Sequence, residues 1–397
     1  MSNYNSKFKD LISNEWLLLL LIIVYFLNVF GSIVQYLVLL IIPILIVKDV
    51  FWRYIDSMSI WIVVFSFSYI LISNVYGFNS GGSLITFSVF PLLFYLVGRY
   101  LMDNWYSQKF ILLLLLILPI GLMVVGGIFM DVFNNGFINM SRNVEVNGQS
   151  LPSTLDGVRL SLYIASFGMI FALSQNGMER FLKYLLFALG IIGIVCTIHM
   201  LNRTGLVIAL VSCLTVLFVN FRRFKWRNIL IGLVLMSVAG FELYPTFNKF
   251  KVVNYYSERE DESGANTAGG RTGRWETAIE KIFSQPLGGG VFNQRGRRFY
   301  AHNFWLDVSE IAGVLPFIAL VGCTLINLWK NFKIIKSRQI TPFLASWIIT
   351  LNIGFFLACF VEPIMEGMAA FAFLYFFFWG MTSIMYDRIK NAENQLV

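Results

Sequence analysis

Six arginines fall within one polar segment, residues 244–302, of a chain that is otherwise apolar: Arg259, Arg271, Arg274, Arg295, Arg297 and Arg298. His302 closes the segment, and Arg203 precedes it at the head of an apolar run. A guanidinium is always charged and presents a planar fork of donors, which matches a pair of phosphate oxygens better than an ammonium does. Arginines gathered at a bilayer surface therefore suit a diphosphate whose lipid tail lies in the membrane. An imidazole, with an ordinary pKa of about 6.5, suits proton transfer at neutral pH. Arg159, His199, Glu242, Asp307, Glu310, Glu362 and Glu366 also lie within or beside apolar runs. Of these, Arg159 and His199 are further candidate contacts for the anion. Asp307, Glu310, Glu362 and Glu366 are candidates for orienting hydroxyls of the substrate or the histidine, and Glu366 is a fallback base.

Each of these has a plainer reading. Arginine at a membrane surface commonly snorkels to lipid headgroups, although that use favours the cytoplasmic side. His302 alone reads as an interfacial histidine, and His199 as a structural residue or an auxiliary phosphate ligand. The acidic run from Glu258 to Glu262 reads as a solvated surface before a metal site. Gly288-Gly289-Gly290 lacks the lysine and spacing of a phosphate-binding loop and reads as turn chemistry. Asn202-Arg203-Thr204 matches a glycosylation sequon but abuts an apolar run. Cys196, Cys213, Cys323 and Cys359 show no paired spacing, so neither a disulfide framework nor a metal site is expected.

The elements that position these residues follow from composition. Of 397 residues, 57% are hydrophobic and only 13% charged, and the mean hydropathy is +0.71, which excludes a water-soluble domain with a polar surface. The expected fold is all-α and polytopic, a single transmembrane domain over residues 1–397 without a separate soluble domain. About twelve spans are expected, at roughly 15–30, 32–48, 57–76, 83–101, 108–130, 157–175, 181–199, 203–220, 228–244, 303–329, 340–361 and 365–385. The first apolar run, from Trp16, meets the second at Ile33 with only Gly31 and Ser32 between them and no cleavage pattern, and the two read as a hairpin of spans, not as a signal peptide.

Lys and Arg in alternate loops, from Lys7 and Lys9 through Arg99 and Lys330 to Arg388 and Lys390, fall on one side when every span is counted. That side is expected to be the cytoplasm, with both termini inside. The long loop at 244–302 then lies outside and is the candidate working part. Within it, Arg274–Ser284 carries apolar residues at helical spacing and ends at Pro286 and the glycines, which predicts a short amphipathic helix at the membrane surface. Arg159, His199, Arg203, Glu242, Asp307, Glu310, Glu362 and Glu366 all lie at or near outer ends of spans. That placement argues against a transporter, whose coupling groups usually sit near the midplane.

Gly270-Arg271 followed by Trp275, Pro286-Leu287-Gly288 with Gly290, Ala301-His302-Asn303, and Glu310 with Gly313 form an ordered set. With Arg203 in Asn-Arg-Thr-Gly, this set resembles the core signature of the bacterial O-antigen ligase and polymerase superfamily, over about residues 200 to 315. The resemblance implies a glycosyltransferase that uses an undecaprenyl-diphosphate-linked sugar as donor on the periplasmic face, with no nucleotide sugar, metal or other cofactor. It implies that Arg203 and Arg271 bind the diphosphate and that His302 is the catalytic or acceptor-positioning histidine. The family pattern does not fix Arg274, Arg295, Arg297 or Arg298, whose roles as substrate contacts rest on charge alone.

The expected reaction is attack by an acceptor hydroxyl on the anomeric carbon with inversion, the arginines stabilising the departing diphosphate. Polymerisation of lipid-linked repeat units of a surface polysaccharide is favoured. The high phenylalanine content with few histidines points that way, as does the expected lack of a C-terminal extramembrane domain. The alternatives are a ligase that transfers glycan to lipid A core and a lipid-linked oligosaccharide flippase. The expected location is the bacterial cytoplasmic (inner) membrane, within lipopolysaccharide and polysaccharide biosynthesis. Expected partners are the undecaprenyl-diphosphate-linked donor and acceptor, the lipid bilayer and a chain-length regulator, and no nucleic acid.

Overall fold

A computed structural model of the chain describes residues 14–27, 51–77, 81–136, 145–146, 149–150, 180–200, 202–219, 271–290, 300–362, 364–367 and 369–395. These form helices α1 (Asn14–Leu27), α2 (Ser57–Val75), α3 (Gly81–Asn104), α4 (Lys109–Asn135), α5 (Arg180–His199) and α6 (Arg203–Val219). Then follow α7 (Arg271–Ser284), α8 (Phe304–Ala312), α9 (Val314–Lys336), α10 (Pro342–Val361), α11 (Ile364–Gly367) and α12 (Ala369–Asn394). Two-residue strands β1 (Glu145–Val146) and β2 (Gln149–Ser150) pair antiparallel and leave the architecture helical. Among the described residues, five helices are long and apolar enough to cross a membrane: α2, α4, α9, α10 and α12. The expected spans at 32–48, 157–175 and 228–244 lie outside the described residues, and with them the number twelve.

Several boundaries differ from expectation, each for a local reason. The tenth span, expected unbroken over 303–329, is interrupted at Gly313, whose φ of 81° no helix accommodates, so α8 and α9 are separate. The amphipathic segment begins at Arg271, not Arg274, because Arg271, Thr272 and Gly273 already take the helical turn. Helix α4 runs to Asn135, past the expected end at 130, and so includes Asp131.

The chain divides into two compact units. The first comprises Met1–Ile120, Ala278–Ile340 and Glu362–Val397. Its tightest pairing joins α3 to α12, where a β-carbon at Gly98 would strike the Phe377 carbonyl and one at Gly380 the Tyr95 carbonyl. Lipid tails are as apolar as leucine, so helices in a bilayer are held by close packing, and small residues permit it. Around this contact Phe94 stacks on Phe373 at 5.8 Å and Phe65 on Phe376 at 5.9 Å.

Buried charges join four helices in this unit. Asp56 caps α2, its carboxylate accepting from the Ser59 amide at 2.9 Å while Ser59 Oγ accepts from the Asp56 amide at 3.2 Å. The same carboxylate pairs with Arg99 of α3 at 2.5 Å and Lys330 of α9 at 3.0 Å, and accepts from Tyr95 at 2.8 Å and from Ser383 of α12 at 3.0 Å. Arg99 also reaches Asp387 at 2.8 Å. Arg99 and Lys330 were expected as loop cations; both are instead buried within helices and neutralised there. Burial pushes the Asp56 carboxyl up, but Arg99 and Lys330 outweigh it and hold the carboxyl at about 2.

The second unit comprises Gly121–Thr277 and Thr341–Val361. In it α6 packs against α10 and α5. Asp131 and His199 form a buried pair at 2.9 Å that ties the end of α4 to the end of α5. All four cysteines are unpaired.

Candidate functional site

In the first unit 286–290 is bonded to the end of α8, and 301–303 is bonded to its start. After α7 the chain turns at Pro286, and three backbone bonds seat that turn on the end of α8. The amide of Val314 donates to the Pro286 carbonyl at 2.8 Å, that of Gly289 to Ile311 at 3.3 Å and that of Gly290 to Glu310 at 3.0 Å. This contact leaves no room for side chains: a β-carbon at Gly288 would lie 2.7 Å from both the Gly313 nitrogen and the Ile311 carbonyl oxygen. Gly288 and Gly313 also have φ of 84° and 81°, the left-handed region that favours glycine. Glycine at these two positions is therefore a requirement of the fold. A β-carbon at Gly289 would meet the ring of Tyr76, just past the end of α2, so the turn stands at that end of the unit. Asp56 caps the other end of α2, about 30 Å away at 1.5 Å per residue.

His302 stands at the entry to α8. Asn303 caps the helix, its side chain accepting from the Leu306 amide at 3.2 Å, and Asp307 accepts from the amide of buried Ala301 at 2.7 Å. Between these two anchors His302 takes a φ of 55°, which no other described residue but glycine adopts. Such a conformation persists only where the surroundings impose it, and it projects the imidazole from a fixed backbone. The ring is half-buried, with Nδ1 shielded from solvent.

Glu310 lies two turns along α8 and is 2% exposed. Its Oε1 accepts from Lys281 Nζ of α7 at 3.1 Å, and the same ammonium donates to the Gly290 carbonyl at 2.5 Å. The second carboxylate oxygen, Oε2, makes no hydrogen bond among the described residues. Burial pushes the Glu310 carboxyl up to about 7, although Lys281 pulls it down. Asp307, not Glu310, fixes the backbone beside His302. Glu366 lies on α11, which packs against α8.

In the second unit the arginines open helices. Arg203 is the first residue of α6, capped by Asn202, whose side chain accepts from the Gly205 amide at 2.9 Å. Arg271 is the first residue of α7 and is half-buried; Arg274 is exposed one turn on. Trp275 meets Phe360 of α10 edge to face at 4.9 Å and anchors this first turn. Unsatisfied amides at a helix start favour a phosphate, and an arginine there adds a full charge. His199 is fully buried against Asp131 and offers no surface to a ligand. Arg159, Arg295, Arg297 and Arg298 lie outside the described residues.

Lys281 and Asp131 are the contributors that the sequence alone does not single out. Each partner is remote, Glu310 from Lys281 by 29 positions and His199 from Asp131 by 68. Helical spacing detects neighbours three or four residues apart and nothing at these distances. A comparison with known protein families finds no family that matches the chain, and no curated protein matches it.

Proposed function

We propose that the chain is a membrane glycosyltransferase that polymerises undecaprenyl-diphosphate-linked repeat units of a surface polysaccharide. The observation that carries this reading is the fastening of Pro286–Gly290 to the end of α8 and of Ala301–Asn303 to its start, which holds His302 on a strained backbone at the end of the unit away from the buried Asp56 cluster. Arginines at the first positions of α6 and α7 add the charge that a diphosphate leaving group requires.

In the proposed step, a hydroxyl of the acceptor repeat attacks the anomeric carbon of the donor glycan. The new carbon–oxygen bond forms as the bond to the diphosphate oxygen breaks, and the configuration inverts. The hydroxyl proton passes to His302, and the negative charge passes to the polyprenyl diphosphate, whose binding the sequence resemblance assigns to Arg203 and Arg271. Glu310, neutral below about 7 and buried beside α7, is placed to bond a sugar hydroxyl in either protonation state. The periplasmic face of the inner membrane is the proposed location, with both termini in the cytoplasm.

Cells carrying Arg203→Ala, Arg271→Ala or His302→Ala test the reading. Loss of polymer with lipid-linked repeats collecting on the outer leaflet is the expected result. Collection on the inner leaflet would instead favour a flippase and overturn the enzyme assignment.

A further inference from the structure

We infer that the end of the first unit away from the proposed transfer site holds a second, separate site, which takes the phosphate of an anionic lipid headgroup. A cavity of about 670 Å³ opens there, its walls including Arg53, Arg99, Asp103, Asp387, Arg388 and Lys390. The charges around it do not cancel. Asp56 and Asp387 are met by Arg99 and Lys330, and Asp103 by Arg388. Arg53 and Lys390 are exposed and form no ion pair among the described residues, so two positive charges remain at the cavity mouth. Deeper in the wall, Arg99 is only 4% exposed. Its terminal nitrogens are bonded to Asp56, Ser383 and Asp387, yet its buried Nε has no hydrogen-bond partner among the described residues. A group with several acceptor oxygens and at least one negative charge answers both features.

The surroundings favour a lipid as the source. Trp52, next to Arg53, is 83% exposed. On α9, whose Lys330 reaches the same cluster, Lys333 lies 5.7 Å over the Trp329 ring and Lys336 lies 4.1 Å over Phe332. Exposed aromatic rings beneath lysine ammonium groups are the pattern of the headgroup layer, where rings sit at the interface and lysines reach to water. A basic pocket between helices at that level selects anionic headgroups.

The test uses the full-length protein in detergent, with native mass spectrometry reading retention of added phosphatidylglycerol against phosphatidylcholine of the same acyl chains. Wild type is expected to retain phosphatidylglycerol preferentially, and Arg53→Gln with Lys390→Gln to lower that preference about thirtyfold, as two surface charges should. Both side chains are exposed, so the double variant should melt with the wild type in zwitterionic detergent. Arg53→Lys with Lys390→Arg should keep the preference. Inorganic phosphate is the second probe. Should it raise the melting temperature of wild type but not of the Gln double variant, while the two lipids are retained equally, the site binds phosphate from solution. Equal retention of both lipids with no effect of phosphate overturns the proposal. Retention is read without any glycan substrate, so this outcome is separate from the fate of the proposed transferase reading.

Discussion

At the residue scale, chemistry and stability make separate demands on α8 and its entry. An arginine that stabilises charge developing on a leaving group contributes about a hundredfold or more to rate, and a positioned general base a similar factor. We therefore expect Arg271→Ala and His302→Ala each to lower single-turnover transfer by at least about a hundredfold, and Arg271→Lys to recover little, because an ammonium cannot hold two oxygens at once. Glu310 gives a pH signature. Its folded carboxyl is raised to about 7, so its contribution to stability is full below the unfolded value of about 4.5 and is lost as pH rises through 7. Melting curves between pH 4.5 and 8 should show wild type losing stability with rising pH more steeply than Glu310→Gln. Parallel slopes would remove Glu310 from the account. The arginines and His302 stand out in the sequence because such side chains are scarce in an apolar chain. The Lys281–Glu310 pair does not, because its partners meet only through the turn between α7 and α8.

At the element scale, glycine and capping residues fix where helices stop. Gly288→Ala and Gly313→Ala each combine a left-handed φ with backbone atoms where the new β-carbon would stand. Each is expected to destabilise the fold by about 2 kcal/mol or more, measured by thermal or urea unfolding in detergent. Gly273→Ala meets open space within a helix and should be neutral or slightly stabilising. Asn303→Ala should cost about 1 kcal/mol through the lost cap. Most helix positions were legible in the sequence, since runs of about twenty apolar residues have few other meanings in a chain this hydrophobic. The break at Gly313 was not: a single glycine within an apolar run signals a turn only when its φ is known. The start of α7 at Arg271 was likewise hidden by Gly273, a residue that ordinarily argues against a helix.

At the scale of the whole molecule, the first unit carries two polar ends joined by apolar helices. One holds His302, Glu310 and the glycine turn; the other holds the buried cluster around Asp56. Removing one partner from such a cluster leaves an uncompensated buried charge, so Arg99→Met should destabilise by about 3 to 5 kcal/mol, whereas a change at exposed Arg53 should leave the melting temperature unmoved. Positive residues in alternate loops suggest an orientation in sequence. The partners of Arg99 and Lys330 are invisible there, because Asp56, Ser383 and Asp387 approach from other helices. The measurement that bears most directly on the proposed function is reconstitution of the purified protein in vesicles with only its undecaprenyl-diphosphate-linked repeat unit. The account predicts a ladder of longer lipid-linked glycans, absent with His302→Ala. No ladder from the active wild type, with product formed only when a separate lipid A core acceptor is supplied, would contradict it.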